Sequence, residues 1–127
     1  MTKEEAVIRD IIGPELVDVQ SLACAIEKME RVLFTERIPI SKVQVTKRIY
    51  PQVAKRLGLG LKTAARQVER QSNRCWDAMD EERMLKYIGR VLRSPAPPSM
   101  MITYLAYYCY YGEAFYEVVF TEPTLSF

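Results

Sequence analysis

The residues whose types and spacing fit a chemical task most clearly are the cations between Ser41 and Trp76. This stretch, called here the basic segment, has nine basic residues and a single acid, Glu69, for a net charge of +8. The rest of the 127-residue chain has nine basic and fifteen acidic residues, so the overall charge of +2 hides a strong asymmetry. Such a block is typical of a face that binds a polyanion, although a solvated helical surface is the alternative interpretation. The nine cations are Lys42, Lys47, Arg48, Lys55, Arg56, Lys62, Arg66, Arg70 and Arg74.

The other residue types do not favour catalysis or metal binding. The chain has no histidine, which removes the commonest general base and the commonest metal ligand. Cys24, Cys75 and Cys109 lie far apart among apolar residues, so we expect buried, reduced thiols. Leu61 interrupts the order of residues that a phosphate loop after Gly58 would need. We therefore predict that the protein is not an enzyme and has no cofactor and no metal.

The elements that position the basic segment are predicted from the spacing of apolar residues. This spacing predicts an all-α fold, a compact domain of five to six helices that contains a helix-turn-helix. Gly13 and Pro14 end the first helix, and Pro51 is expected in the first turn of a short helix because a proline inside a helix is costly. Asp80 and Ser99 are predicted N-caps. The predicted helices are Glu4 to Ile12, a second one through Leu16 to Phe34, Val43 to Leu57 with a break near Tyr50, Leu61 to Met79, Glu81 to Leu92 and Ser99 to Tyr111.

The turn Gly58-Leu59-Gly60 joins the short helix ending at Leu57 to the long helix that follows, as in a helix-turn-helix. In that motif the second helix reads base edges in the major groove, and neighbouring cations hold the phosphates. The predicted buried stripe of the second helix is Ala65, Val68, Ser72, Cys75, Trp76 and Met79. The predicted base-facing residues are Lys62, Thr63, Arg66, Gln67, Arg70, Asn73 and Arg74. The predicted contacts to the DNA backbone are Thr46, Lys47, Arg48, Lys55 and Arg56.

The stretch from Thr46 to Leu57, TKRIYPQVAKRL, resembles the T-K-x-[LI]-Y-P-x-[IV]-A-K-[KR]-[FL] motif of the sporulation master response regulator of endospore-forming bacteria. In that family the motif lies in the C-terminal DNA-binding effector domain. The resemblance covers roughly Ile8 to Ala106 and is strongest between Val45 and Trp76. It implies an all-helical effector domain that binds promoter DNA and regulates transcription.

The second helix departs from the family motif S-R-V-E-R-A-I-R. An ungapped alignment places the central arginine on Arg66 and the family tryptophan on Trp76, whereas a shift by three residues aligns Val68-Glu69-Arg70 and loses the tryptophan. We prefer the first alignment. In both alignments the base-reading residues differ from those of the family, so the main base reader is either Arg66 or Arg70. We expect no receiver domain of the kind that precedes the effector domain in the family, and therefore no control by aspartyl phosphorylation within this chain.

The C-terminal residues are unusually aromatic. Nine of the thirteen aromatic residues lie between Met100 and Phe127. Leu105 and Tyr108 are assigned to the core. The aromatic side chains of Tyr107, Tyr110 and Tyr111 point in several different directions around the predicted helix, so they do not form one core-facing stripe. Aromatic residues are enriched at protein interfaces, so we predict a partner surface, for example in a homodimer. Its residues are Tyr107, Tyr110, Tyr111, Phe115 and Tyr116.

The predicted organisation is a helix-turn-helix domain over residues 1–112 and an aromatic tail over 113–127, docked or interface-forming. Periodicity does not distinguish helix from strand over Glu113 to Phe120. The predicted function is a sequence-specific, cytoplasmic regulator of transcription that binds double-stranded DNA and no membrane. One alternative is a protein-interaction module that has lost specific DNA binding and acts on another regulator through its tail. RNA binding by the same basic face is a further alternative.

Overall fold

The computed structural model describes residues 1–121, and every regular element among them is helical, which confirms the all-α class. The described residues form eight α-helices rather than the five to six predicted, because the break near Tyr50 leaves two separate helices and the segment after Gly112 adds another. The second helix continues as one turn of π-helix over Arg31–Thr35. A 3₁₀ turn covers Ile40–Lys42. The helices are α1 (Lys3–Ile12), α2 (Gln20–Glu30), α3 (Val45–Arg48), α4 (Tyr50–Leu57), α5 (Leu61–Ala78), α6 (Glu81–Tyr87), α7 (Pro98–Tyr111) and α8 (Phe115–Thr121).

Helices α2 and α7 form the centre of the core. Ile26 of α2 and Leu105 of α7 are completely buried, and α2 also contacts α1, α4 and α5. All seven residues of Met101–Tyr107 are buried. A helical segment that is buried on all sides is enclosed by its neighbours, and α7 contacts α1, α2, α5, α6 and α8.

The second helix begins at Gln20, later than its apolar pattern predicts. Leu16, expected on the buried stripe, is fully exposed. The Arg9 guanidinium donates hydrogen bonds to the carbonyls of Glu15 (2.6 Å) and Val17 (2.7 Å) and so holds this connection outside a helix. Asp18 then accepts a hydrogen bond from the Gln20 amide, at the start of α2.

The break near Tyr50 and the turn after Leu57 are confirmed. Helix α3 ends at Arg48, and Pro51 lies in the first turn of α4, where its missing N–H costs nothing. Gly58 adopts a left-handed conformation with φ 66°, which suits glycine because it has no Cβ. The Leu59 amide donates to the Ala54 carbonyl, so the chain reverses within three residues and starts α5 at Leu61.

Two predicted boundaries in the second half of the chain are wrong. Helix α6 ends at Tyr87 rather than Leu92, because Gly89, at φ 91°, leaves the helical conformation where the chain packs against the start of α8. A Cβ at this position would lie 3.2 Å from the Ala114 Cβ and 3.3 Å from the Tyr116 Cβ. Helix α7 begins at Pro98 after Pro97, so Ser99 lies inside the first turn and is not the cap. Asp80 does cap α6, accepting from the Arg83 amide.

The C-terminal segment is helical as far as the structure describes it. Helix α8 buries Phe115, Val118 and Val119, so it is docked on the rest of the core. Residues 122–127 of the predicted tail, with Phe127, lie outside the described residues. Cys24, Cys75 and Cys109 are unpaired thiols, the first two buried and the third half-buried.

Candidate nucleic-acid interface

Helix α5 is held against the core by polar as well as apolar contacts. Its buried stripe includes Val68, Ser72 and Cys75, as predicted. Gln71, which the sequence analysis did not single out, is also buried, and its Oε1 accepts a hydrogen bond from the Leu22 amide of α2 at 2.9 Å. The sequence signal for the burial of Gln71 was its position three residues after Val68, on the same face of the helix. These contacts fix the side of α5 that faces solvent.

The stripe differs in detail from its prediction. Ala64 is buried in place of Ala65, which is half-buried, and Trp76 is half-buried against the core. Met79 follows the last residue of α5 and is buried.

The predicted base-facing residues are exposed with one exception. Gln67 is half-buried, and its Oε1 accepts a hydrogen bond from the Ser21 hydroxyl at 2.7 Å, so this side chain faces α2 rather than solvent. The five predicted backbone-contact residues, from Thr46 to Arg56, are also exposed. The exposed base-facing residues are Lys62, Thr63, Arg66, Arg70, Asn73 and Arg74.

Three arginines of the basic segment form ion pairs with acids from outside it. Arg74 pairs with Glu15 of the α1–α2 connection, and Arg48 pairs with Glu36. Arg56 lies 3.4 Å from Glu27 of α2. We call Glu15, Glu27 and Glu36 the acidic collar, because they come from three separate places and each occupies one arginine.

The other six cations have no carboxylate oxygen within 4.0 Å among residues 1–121. Three of them, Lys62, Arg66 and Arg70, lie at four-residue steps along the first half of α5 and therefore share one face. We call Lys62, Thr63, Arg66 and Arg70 the open face. The remaining three are Lys42, Lys47 and Lys55, and all six are exposed.

Acidic residues border the open face at the middle of α5 and follow it towards the end of the helix. A shallow depression of about 470 Å³ is lined by Arg66 and Arg70 of the open face together with Glu69 and Asp77. Asp18 lines a second depression of about 260 Å³ between α5 and the α1–α2 connection. The Tyr50 hydroxyl donates to Glu69 Oε2 at 3.4 Å, and burial, with Glu69 adding to it, raises the pKa of Tyr50 to about 12. The positive potential of α5 is therefore least opposed towards its N-terminus.

The aromatic residues predicted to form a partner surface are divided between core and solvent. Tyr107 and Phe115 are each only 2% exposed, so their assignment to an interface is wrong. Phe34 packs edge-on against Tyr107 with the ring centroids 5.0 Å apart, and Phe115 lies 4.8 Å from Tyr107. The π-helical turn and α8 thus cover sides of α7 that the sequence pattern left open.

The remaining aromatic surface is small. Tyr110 is exposed but stacked on Phe34 at 4.3 Å, and Tyr111 and Tyr116 are half-buried. Phe120, which was not among the predicted interface residues, is 71% exposed. Leu105 is buried, and Tyr108 is half-buried with its ring edge-on to Tyr87, as expected for residues that face the core.

A polar cluster that the sequence patterns do not single out lies where α1, α2 and α7 meet. Glu4 of α1, Glu30 of α2 and Cys109 of α7 bring two carboxyl oxygens and a sulfur within 4.8 Å of one another. Burial, and then the Glu4 carboxyl, raise the pKa of Glu30 to about 8, against the opposing effect of the Lys3 ammonium. A signal was present, since each of the three residues lies three or four positions from buried apolar residues of its own helix, as Glu30 does from Ile26.

No helix in residues 1–121 combines the length and the apolar character that crossing a bilayer requires. Comparisons with protein-family models, curated proteins and solved structures find no match for this chain.

Proposed function

We propose that the protein is a DNA-binding regulator of transcription that inserts the first half of α5 into the major groove. The observation that carries this proposal is the open face. Its three cations follow a tight turn, have no acid within ion-pair distance, and lie on a helix whose opposite side is fixed to α2. Exposed cations that form no ion pair and lie on a firmly packed helix are well suited to bind a polyanion such as DNA.

The dimensions of the open face suit base reading. The rise from Lys62 to Arg70 is about 12 Å at 1.5 Å per residue, which corresponds to roughly three to four base pairs. Arg66 lies at its centre and can donate two hydrogen bonds to guanine O6 and N7. Arg66 is therefore our proposed main base reader, with Lys62 and Arg70 on either side of it.

The surrounding cations suit contacts with phosphates. Lys47 and Lys55 are exposed and unpaired on α3 and α4. These two helices precede the glycine turn, and the open face follows it. Arg48, Arg56 and Arg74 reach a phosphate only by leaving the acidic collar. We therefore propose that the six unpaired cations supply most of the electrostatic affinity.

The resemblance between Thr46 and Leu57 supports the same function and adds sporulation as its setting. DNA in a bacterial cell is cytoplasmic, so the proposal places the protein there. Helix-turn-helix proteins commonly bind two half-sites as dimers. After the reassignment of Tyr107 and Phe115, a homodimer through the C-terminal aromatic segment would use Tyr110, Tyr111, Tyr116 and Phe120.

Selection from a random duplex pool tests the proposal. The full chain is incubated with the pool at physiological salt, shifted complexes are isolated from a gel, and the bound DNA is sequenced. We expect an enriched site, and we expect Arg93→Ala, which removes an exposed arginine outside the basic segment, to enrich the same site. Failure of the wild-type chain to enrich any sequence would contradict specific DNA binding.

A second candidate function is supported by Phe120, whose exposed ring lies beside Arg90 and Tyr116. A protein-interaction module of the same fold would use this surface and leave the basic segment unused. In that case the selection yields no enriched site, and titrations detect no salt-dependent binding to DNA.

A further inference from the structure

The cluster of Glu4, Glu30 and Cys109 lies where three helices meet. Glu4 is in the first turn of α1, Glu30 is the last residue of α2, and Cys109 is in the last turn of α7. Both carboxyl groups belong to buried residues, and Cys109 is half-buried. Three potential donor atoms from three elements within 4.8 Å form a pre-arranged set, and they do not lie on one solvated helix face.

Glu30 has an oxygen with no partner. Its Oε1 lies 3.1 Å from the Lys3 ammonium, whereas its Oε2 is buried and accepts no hydrogen bond. The residue as a whole is 8% exposed. A buried carboxylate oxygen without a donor is costly, so the lone pairs of Oε2 are free for a cation that also binds Glu4 and Cys109.

The charges of the cluster fit a divalent ion. Once metal binding has deprotonated them, two carboxylates and a thiolate carry −3, and the Lys3 ammonium returns +1. A single dication therefore makes the whole group neutral, which is the condition under which charges are tolerated in a protein interior. A monovalent ion would leave a net negative charge there.

The donor types restrict the metal. Mg²⁺ and Ca²⁺ are hard ions that take six or more oxygen ligands, which two carboxylates and a sulfur do not supply. Zn²⁺ accepts both carboxylate oxygen and thiolate in a four-coordinate site. We propose that Glu4, Glu30 and Cys109 bind one zinc-like divalent transition-metal ion, with a solvent molecule as the fourth ligand.

Such an ion would join α1, the end of α2 and the end of α7 without involving the open face. Binding would release the protons of the Cys109 thiol and the Glu30 carboxyl, because metal ligands coordinate in their deprotonated forms. The expected role is structural, since metal bound only by the folded chain stabilises the fold. The proposal is independent of DNA binding, and either one can fail alone.

Cobalt(II) serves as the spectroscopic probe, because a thiolate ligand gives it a charge-transfer absorption band. The full chain is freed of metal with a chelator, titrated with Co²⁺, and then titrated with Zn²⁺. We expect one equivalent of Co²⁺ to produce the band and Zn²⁺ to remove it. We also expect the melting temperature to rise with Zn²⁺ concentration. No band, or no thermal shift, would overturn the proposal.

Single substitutions assign the ligands. Cys109→Ser should abolish the cobalt band and weaken Zn²⁺ binding by at least about tenfold, and Glu30→Gln should weaken it similarly. Cys24→Ser is the matched control, because Cys24 is another unpaired thiol but lies outside the cluster. If Cys24→Ser removes the band and Cys109→Ser keeps it, the assignment is wrong. Circular dichroism of each variant shows that it is folded, and the wild-type titration decides the matter if one variant is not.

Discussion

The open face of α5 and the aromatic residues of α7 and α8 use their side chains in opposite ways. The open face leaves its cations exposed and in no ion pair within the described residues, whereas Tyr107 and Phe115 are buried in the core. The difference follows from the cost of burial. A lysine or arginine is almost never buried without a partner, but an aromatic ring is stabilised by burial or by a partner protein equally well. A cluster of cations therefore identifies a surface, and a cluster of rings does not.

The largest expected effect lies in the aromatic region. Phe115→Ala should lower the free energy of unfolding by about 3–5 kcal/mol, because it removes a ring that packs against Tyr104 and Tyr107. Denaturant unfolding followed by circular dichroism measures the loss. Phe120→Ala is the control, since its exposed ring should change the stability by no more than about 0.5 kcal/mol. Similar losses for both variants would contradict the division between core and surface.

The next effect lies on the open face. Arg66→Ala should weaken binding to the selected DNA site by about 1–3 kcal/mol and relax the preference at one base position, because a two-bond contact to guanine is lost. Fluorescence anisotropy titrations on the selected duplex and on single-base variants measure this. Arg93→Ala should change neither. An equal loss on random DNA would make Arg66 a phosphate contact and would favour Arg70 as the base reader.

A smaller effect is expected on α4. Lys55→Ala should weaken binding to all duplexes alike and make the slope of log K against log salt concentration less negative by about one, because one phosphate contact is lost. The titrations are repeated at several salt concentrations with the selected and a scrambled duplex. If the loss were confined to the selected duplex, Lys55 would be a base contact and the proposed orientation of α4 would be wrong.

The smallest effect concerns the acidic collar. Glu15→Gln should raise DNA affinity by up to about fivefold, because Arg74 no longer has a carboxylate competing with phosphate and exposed ion pairs contribute at most about 1 kcal/mol. Glu113→Gln is the matched control, since it removes the same charge from an exposed position outside the collar. Equal gains from both variants would mean that overall charge, and not the Arg74 pair, sets the affinity.

Sequence patterns predict the parts of this molecule that depend on local chemistry. Pro51 and Gly58 mark the start and the end of α4. The ring of Pro51 fixes its backbone angle φ at a helical value, and Gly58 readily adopts the left-handed conformation that ends the helix. The exposure of Lys62, Arg66 and Arg70 follows equally from their own side chains and their spacing. Such features need no knowledge of which helices are neighbours.

The errors arise where another element decides. Arg9 holds the connection after α1 out of a helix, so the second helix begins late and Leu16 is exposed. Gln67 and Gln71 bond to α2, which lies more than forty residues away in sequence. Glu30 looks like a surface acid until α1 and α7 are placed around it. Helical periodicity predicts on which face of its helix a residue lies. Which other element contacts that face depends on how the helices pack.

The most direct measurement of the central claim is the salt dependence of DNA binding by the wild-type chain. Anisotropy titrations between about 50 and 200 mM salt give the slope of log K against log salt concentration. With Lys42, Lys47 and Lys55 on phosphates and the open face on bases, we predict a slope of about −3, whereas adding the three collar arginines would give about −5. A slope near −5 would show that the acidic collar releases its arginines. No binding, or binding that does not change with salt, would contradict the proposed function.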